Sequence, residues 1–143
     1  MSFERRIIVV GLVWNKKGEL LLCKMPPNRG VFPGQWGLPG GGIKPNETME
    51  EALRREMKEE IGIEIENIEP VFFKDGEFEK TFADSSKRKV YMIFLLFNCR
   101  ASEDQLQLSE EFEEYRWISL EDAGTLDLNV ETVKTLQQIA EIR

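Results

Sequence analysis

Three glutamates are the residues of this 143-residue chain whose spacing points most directly to chemistry: Glu56, Glu59 and Glu60. On an α-helix, which turns by about 100° per residue, they project into one sector. The same sector holds the apolar residues of the preceding turns, which are Met49, Ala52 and Leu53. Because an amphipathic helix packs such a face against the protein, we expect its inward stripe to change from apolar to anionic along its length.

Carboxylates crowded on a sheltered helix face either take up protons or gather cations. Glu56 and Glu60 lie four residues apart, a like-charge spacing that destabilises an isolated helix. A single helical glutamate is most often solvated and paired with a lysine, but that interpretation does not account for three on the packed side. An all-oxygen site favours hard ions over zinc. The pattern therefore predicts a Mg²⁺ site, with Mn²⁺ as a substitute.

The glycine run Gly40-Gly41-Gly42 ends a long loop, 25–42, that is rich in glycine and proline and precedes this helix. Leu38-Pro39 leading into three glycines predicts a sharply turned backbone that excludes side chains. Exposed N–H groups near the positive end of a helix dipole attract phosphate. The run matches neither the Walker A motif nor the dinucleotide fingerprint. Together with the glutamates, it predicts a metal–phosphate site between loop and helix.

Composition excludes several classes of function. With 19 basic and 26 acidic residues, the chain has a formal net charge of −7, which argues against binding a nucleic-acid polymer. It contains no histidine, so a histidine-based catalytic triad, a histidine proton shuttle and histidine-ligated zinc are excluded. Two cysteines, Cys23 and Cys99, are too few for a four-thiolate site.

We also expect a soluble cytoplasmic protein that does not act at a membrane. The apolar run 7–14 follows Arg5-Arg6, but it is too short to span a bilayer, and no small-residue cleavage site follows it. A strand followed by a polar turn at 15–18 is the simpler interpretation. Cys23 and Cys99 are predicted to be buried, reduced thiols.

The elements that must position the glutamates are predicted from periodicity and turn residues. Strands are expected over 7–14, 19–23, 64–73, 82–98 (with a turn at 84–86) and 115–120. The glutamate helix is expected to begin near Glu47, with Asn46 as its N-cap, and to end near Ile61, before Gly62. A second helix has an apolar face formed by Val130, Val133, Leu136, Ile139 and Ala140. We predict a single α/β domain over residues 1–143, a sandwich with a mixed sheet.

A longer motif surrounds the glutamates. Gly41, five residues, Glu47, seven residues and then Arg55-Glu56-Met57-Lys58-Glu59-Glu60-Ile61-Gly62-Ile63 resembles the Nudix box, Gly-x5-Glu-x7-Arg-Glu-U-x-Glu-Glu-x-Gly-U, where U is a bulky aliphatic residue. All nine defined positions fit over residues 41–63. The resemblance implies the Nudix α/β/α sandwich and hydrolysis of a nucleoside diphosphate linked to another group.

The resemblance also implies roles for individual residues. Glu56, Glu59 and Glu60 would bind the divalent ions, and the backbone carbonyl of Gly40 would complete the metal shell. Arg55 would orient a glutamate by ion pairing, while Glu47 would support the loop or the helix start.

Many Nudix members add an acidic residue from a loop before the late Trp strand. Here that residue is Glu111, or else Glu114. The interpretation of this stretch as a solvated acidic loop stays open. The predicted reaction is attack of a metal-activated water on a phosphorus, with one of the helix glutamates or Glu111 taking the proton.

The substrate implied by the loop before the box is a nucleoside triphosphate or deoxynucleoside triphosphate, with pyrimidines preferred, cleaved to a nucleoside monophosphate and diphosphate. Lys24, Arg29 and Gly41 are candidate contacts to this small-molecule substrate. Aromatic residues that could stack on the base are Phe32, Trp36 and Tyr91.

Two alternatives remain open at this point. One is a Nudix hydrolase of another nucleoside diphosphate derivative, such as a nucleotide sugar, a dinucleotide or an oxidised purine nucleotide. The other is a nucleotide-binding Nudix protein without turnover, against which the intact set of self-repelling carboxylates argues. The sequence does not set the oligomeric state, although a homodimer is the commonest assembly.

Overall fold

The computed structural model describes residues 4–142, and it consists of a mixed sheet between two helices. The strands in chain order are β1 (Glu4–Trp14), β2 (Leu20–Lys24), β3 (Trp36–Gly37), β4 (Gly40–Gly42), β5 (Ile65–Thr81), β6 (Lys87–Ala101) and β7 (Glu114–Ile118). The helices are α1 (Met49–Ile61) and α2 (Val130–Ile142), with a short 3-10 turn at Ala123–Thr125.

The sheet has the order β3-β2-β1-β6-β5, with β4 paired to β1 and β7 paired to β2. Strands β1 and β6 run parallel along the whole of β1, whereas the other pairs are antiparallel. The predicted mixture of strand directions is confirmed.

The two helices cover opposite faces of this sheet. Neighbouring residues of a strand point to opposite faces, and β2 divides accordingly: Leu21 and Cys23 belong to the core under α1, while Leu20 and Leu22 belong to the core that includes Ile139 of α2. The predicted α/β/α sandwich is confirmed by this layering.

The apolar run near the amino terminus is the central strand β1. Val9 and Val13 are fully buried in it. Within residues 4–142 no helix has the length and apolar character needed to cross a bilayer. Cys23 and Cys99 are both free and buried, and burial raises the pKa of each thiol, that of Cys99 to about 12.

Helix α1 begins later than predicted. Its N-cap is Thr48, whose hydroxyl accepts a hydrogen bond from the Glu51 N–H at 3.1 Å, while the Glu51 carboxylate accepts one from the Thr48 N–H at 3.0 Å. This reciprocal capping box satisfies two free donors, so Asn46, in the left-handed region at φ 66°, lies outside the helix. The predicted end is confirmed, with Gly62 at φ 71°.

The hairpin of β5 and β6 is longer than predicted, because β5 continues to Thr81 and β6 begins at Lys87. Beyond Phe73 the inward positions of β5 include polar residues such as Lys74 and Lys80, which hide the alternation expected of a strand. The predicted turn is confirmed, with Ser85 at φ 71°.

The buried face of α2 also differs from the predicted one. Val130 and Val133 are exposed, whereas Thr132 and Thr135 are buried. The reason is that this face covers a polar part of the molecule, where the Thr135 hydroxyl accepts a hydrogen bond from Lys74. Farther along, Leu136 and Ile139 pack in the core as predicted.

Candidate active site

A cavity of about 490 Å³ lies over the sheet face between β4, β5 and the start of α2. This volume is typical of a small-molecule site. The floor is apolar, with Met92, Phe94 and Leu96 of β6. Glu56 and Glu111 line the cavity and bring negative charge to it.

Helix α1 places the three glutamates that were predicted to bind metal in three different environments. Glu60 is buried, with 3% of its surface exposed, and the Glu56 side chain is 12% exposed. The Glu59 side chain is 56% exposed, so the prediction that it lies on the packed face is wrong. Glu59 lies one 100° step away from the buried Glu60, which places it at the edge of the buried sector, next to the exposed face of the helix. Met49 is likewise exposed, at 49%, because it starts the helix.

Glu60 is the most unusual group of the site. Its Oε1 atom has no hydrogen-bond partner within residues 4–142. Burial raises the pKa of this carboxyl to about 11, and the neighbouring carboxyls of Glu111 and Glu56 act in the same direction, whereas the backbone of Gly40 opposes them. An ionised carboxylate in this position therefore requires a cation to compensate it.

Arg55 binds the surrounding acidic groups together. Its Nε and Nη2 atoms donate to both carboxylate oxygens of Glu47, at 2.5 and 2.9 Å, and this contact is the main reason why the pKa of Glu47 falls to about 2. Its Nη1 donates to Glu56 at 2.7 Å and to Glu59 at 3.2 Å. Nη2 also donates to the Gly42 carbonyl at 2.9 Å. The guanidinium thus fixes the helix to β4 and orients Glu56.

The three glycines before the helix do not form a sharp turn. They are strand β4, paired antiparallel with β1, and none has a positive φ. Close approach excludes side chains here: a Cβ on Gly40 would lie 2.3 Å from the Val9 carbonyl oxygen, and one on Gly41 would lie 2.3 Å from the Glu56 carboxyl. The predicted exclusion of side chains is therefore correct, but its cause is strand packing and the Glu56 carboxylate.

Replacing Gly41 with Ala is therefore expected to displace Glu56 and to lower activity by about tenfold or more, since small misplacements at a catalytic centre are costly. The backbone conformation itself accepts alanine, so the fold should survive. Gly124→Ala is the matched control, because a Cβ there meets nothing within 4 Å. Steady-state kinetics and thermal unfolding of both variants test this prediction; equal kcat/KM values for the two would contradict it.

The structure separates the two acidic candidates near the late strand. Glu111 lines the cavity and acts electrostatically on both Glu56 and Glu60. Glu114 lies in β7 opposite Lys24 and within 3.8 Å of Arg116. Only Glu111 of the two is brought to the cavity.

A divalent cation fits this set of oxygens. In the part of the chain that the structure describes, no three acidic or thiol side chains already surround one point as ligands would. The fit rests on the unpartnered Oε1 of Glu60, on its neighbours Glu56 and Glu111, and on their all-oxygen chemistry.

The predicted substrate contacts divide into two groups. Arg29, Phe32 and Gly41 line the cavity, and Arg29 also donates to the carbonyl of Glu110, next to Glu111. Lys24 does not line it, because its neighbour Cys23 takes the cavity side of β2.

Two of the aromatic candidates lie elsewhere. Trp36 is 5% exposed and packs in the core on the α2 side, with the Arg116 guanidinium 5.3 Å from its ring centroid. Tyr91 donates its hydroxyl to Asp75 on the hairpin and does not line the cavity. Stacking by Trp36 or Tyr91 in this cavity is therefore excluded.

Three cations that line the cavity were not predicted from the sequence, and these are Arg6, Lys74 and Lys80. Arg6 and Lys80 line the cavity, and the pKa of Lys80 is lowered by burial and by Arg6 nearby. A Cβ on Gly42 would lie 2.6 Å from Nη2 of Arg6. Arg6 and Lys80 are far apart in the chain. The one sequence signal that could have indicated them was a charged residue at an inward position of a strand. With Arg29, they give the cavity three cations suited to phosphate.

Known proteins are similar to this chain in sequence and in fold. A family model described as NUDIX domain matches residues 4–139. The chain is 48% identical over 136 residues to Nucleoside triphosphatase NudI of Escherichia coli O1:K1 / APEC, which covers 94% of this chain and 96% of that protein. Among solved structures, the MutT protein from Methanosarcina mazei Go1 matches with 29% identity and a TM-score of 0.72, covering 99% of this chain and 96% of that one. The MutT NUDIX hydrolase from Burkholderia pseudomallei matches with 25% identity and a TM-score of 0.75, covering 95% and 98%.

Proposed function

The chain belongs to the Nudix domain family, and from that membership we propose that it is a Mg²⁺-dependent pyrophosphohydrolase of nucleoside triphosphates. Its 48% identity to a nucleoside triphosphatase, over nearly the full length of both chains, supports hydrolysis of this substrate class. We further propose that the products are a nucleoside monophosphate and diphosphate, and that pyrimidine deoxynucleotides are preferred.

One observation carries this proposal: buried acidic groups and three cations face one cavity. Glu60 leaves one oxygen without a partner, and Glu56 and Glu111 lie beside it. Besides Lys74, which is paired with Glu131, the cations that line the same cavity are Arg6, Arg29 and Lys80. A polyphosphate with a divalent ion is a ligand that compensates both kinds of charge.

Glu56 and Glu60, with Glu111, are the residues that would hold the ion. When bound, a divalent ion neutralises phosphate charge and lowers the pKa of water. Arg55 keeps Glu56 in place through the 2.7 Å contact and anchors it to Glu47 and β4. Glu59, exposed and held at 3.2 Å from Arg55, supports that guanidinium.

The remaining side chains bind and position the substrate. Arg6, Arg29 and Lys80 bind the phosphate oxygens and hold the polyphosphate of the substrate in position for attack by water. Glu111, which is exposed at the cavity edge, accepts the proton of the attacking water. The new bond joins the water oxygen to phosphorus, and the bridging P–O bond between the α- and β-phosphates breaks.

Incubation with Mg²⁺ and a panel of nucleoside triphosphates, nucleotide sugars, dinucleotides and oxidised purine nucleotides tests this function. We expect diphosphate and a nucleoside monophosphate from pyrimidine triphosphates, and loss of turnover when EDTA removes the metal. Release of orthophosphate with a nucleoside diphosphate would contradict the cleavage position. Preferred turnover of a nucleotide sugar or dinucleotide would contradict the substrate class.

A further inference from the structure

Two lysines of strand β5 line the cavity at separate places. Lys74 and Lys80 both line the cavity from the inward face of β5, where pairing with β6 is regular from Phe72 to Thr81. Six residues at about 3.3 Å each place their Cα atoms about 20 Å apart. Lys80 lies near Arg6 and Glu111. Lys74 lies in register with Gly42 across β6 and β1, three strand spacings of about 4.8 Å from β4 and from the Glu56 carboxyl beside it.

On the α2 side of the cavity, Lys74 forms an ion pair with Glu131. The Lys74 Nζ lies 3.0 Å from Glu131 Oε2, and it donates to the Thr135 hydroxyl at 2.6 Å and to the Glu131 carbonyl at 3.1 Å. The side chains of Lys74 and Glu131 are only 17% and 19% exposed. These contacts occupy the three N–H donors of Lys74.

The Glu131 carboxylate keeps acceptor capacity. Besides Lys74, its cationic neighbour is Lys134, whose Nζ lies 3.6 Å from Oε1 and whose side chain is 62% exposed. A carboxylate offers about four acceptor positions. Because Glu131 itself lines the cavity, this capacity is available to a ligand.

Packing alone would favour apolar residues over the ion pair of Lys74 and Glu131 at this position. The neighbouring cavity lining includes Phe94 and Leu96 of β6. Apolar residues of similar volume often replace a buried ion pair without loss of stability. Three strand spacings of about 4.8 Å, roughly 14 Å in all, separate the backbone of Lys74 from β4 beside Glu56, so the pair does not contact the carboxylates proposed to hold the ion. A role in binding the part of the substrate remote from the phosphates accounts for it.

We propose that Glu131 is a specificity-determining residue that accepts a hydrogen bond from the ring N–H of a pyrimidine base, with Lys74 as its positioning residue. This inference rests on the proposed function, because it takes the phosphates to lie beside Glu56 and Glu60. An ionised carboxylate only accepts hydrogen bonds, so the base edge that meets it must donate. Thymine and uracil donate there through N3–H.

Non-cleavable dTTP with a methylene group between the α- and β-phosphates, and the same compound methylated at N3, are the probes. Their dissociation constants are measured by calorimetry with Mg²⁺ and the full chain. We expect N3 methylation to weaken binding about 100-fold, because it removes the donor and leaves Glu131 unpaired. Equal affinities would overturn the inference, as would failure to bind either probe.

Variants separate recognition from simple steric exclusion of the methyl group. In Glu131→Ala the discrimination should fall about tenfold or more, and in Lys74→Met it should fall as well, because the carboxylate loses its anchor. Lys134→Met is the matched control and should retain it, since this lysine touches the same carboxylate from the solvent side. Undiminished discrimination in folded Glu131→Ala would overturn the inference.

The two proposals fail in different ways. If the unmethylated probe binds preferentially but dTTP is not cleaved, the proposed function fails and the assignment of Glu131 stands. If dTTP is cleaved to the monophosphate but both probes bind equally, the assignment alone fails. Thermal unfolding of each variant shows whether α2 remains docked on β5.

Discussion

Replacing Glu60 with Gln is expected to reduce kcat by about a thousandfold or more while leaving the metal-free protein at least as stable as the wild type. Glu60 is 3% exposed and has an unpartnered Oε1. Glutamine keeps the shape but cannot supply a negative charge to a cation, so transition-state stabilisation is lost. It also removes a buried carboxyl, and its amide can donate to the neighbouring Glu111 carboxylate. A gain of about 1–3 kcal/mol in unfolding free energy is expected.

Metal-dependent stabilisation provides the second readout for Glu60→Gln. An ion that binds only the folded protein raises its melting temperature, so Mg²⁺ should stabilise the wild type and not the variant. Glu64→Gln is the matched control, because Glu64 is 67% exposed and pairs with Lys58 at the surface. Wild-type turnover by Glu60→Gln, or an equal Mg²⁺ effect on both proteins, would show that Glu60 is not a metal ligand.

Replacing Arg55 with Lys is expected to lower both activity and stability although the charge is kept. The planar guanidinium of Arg55 makes a two-pronged contact with Glu47 and further bonds to Glu56 and the Gly42 carbonyl. A single ammonium cannot reproduce this fork. We expect kcat to fall about 100-fold, because Glu56 loses its orientation. The unfolding free energy should fall by about 2–3 kcal/mol, because partly buried polar groups lose their partners.

Arg54→Lys is the control for the Arg55 prediction. Arg54 precedes Arg55 in α1 and donates to one backbone carbonyl, that of Ile65 at 2.8 Å, but its side chain is 46% exposed and its 3.5 Å pair with Glu50 is a surface contact. Such pairs contribute little to stability. Urea unfolding and steady-state kinetics of both variants give the comparison. An Arg55→Lys protein no more impaired than Arg54→Lys would refute the organising role of Arg55.

Local sequence predicted the glutamate helix because its signals lie within a few turns. Gly62 marks its end, and the 100° rule placed Glu56 and Glu60 on the sheltered side. The same rule failed for Glu59, whose direction lies nearest the boundary between the buried and exposed faces. The start was misplaced because Asn46 offered an N-cap, while Thr48 with Glu51 formed the stronger capping box.

Pairings between distant segments could not be predicted in this way. The three glycines were expected in a turn because their partner β1 lies more than 30 residues earlier, and the pairing of Ile8 with Gly42 has no local signal. For the same reason Arg6, Lys74 and Lys80 were missed, since only the folded sheet brings these strands to one cavity. Trp36 was misassigned because an aromatic residue in a loop motif gives no indication of burial.

Anomalous diffraction from crystals soaked in Mn²⁺ tests directly whether the carboxylates at the end of α1 bind a divalent ion. We expect an anomalous peak about 2.1 Å from oxygens of Glu60 and Glu56, and no peak at this position in Glu60→Gln crystals. Soaked wild-type crystals with no peak near these carboxylates, or with a peak only among the exposed acidic residues, would contradict it.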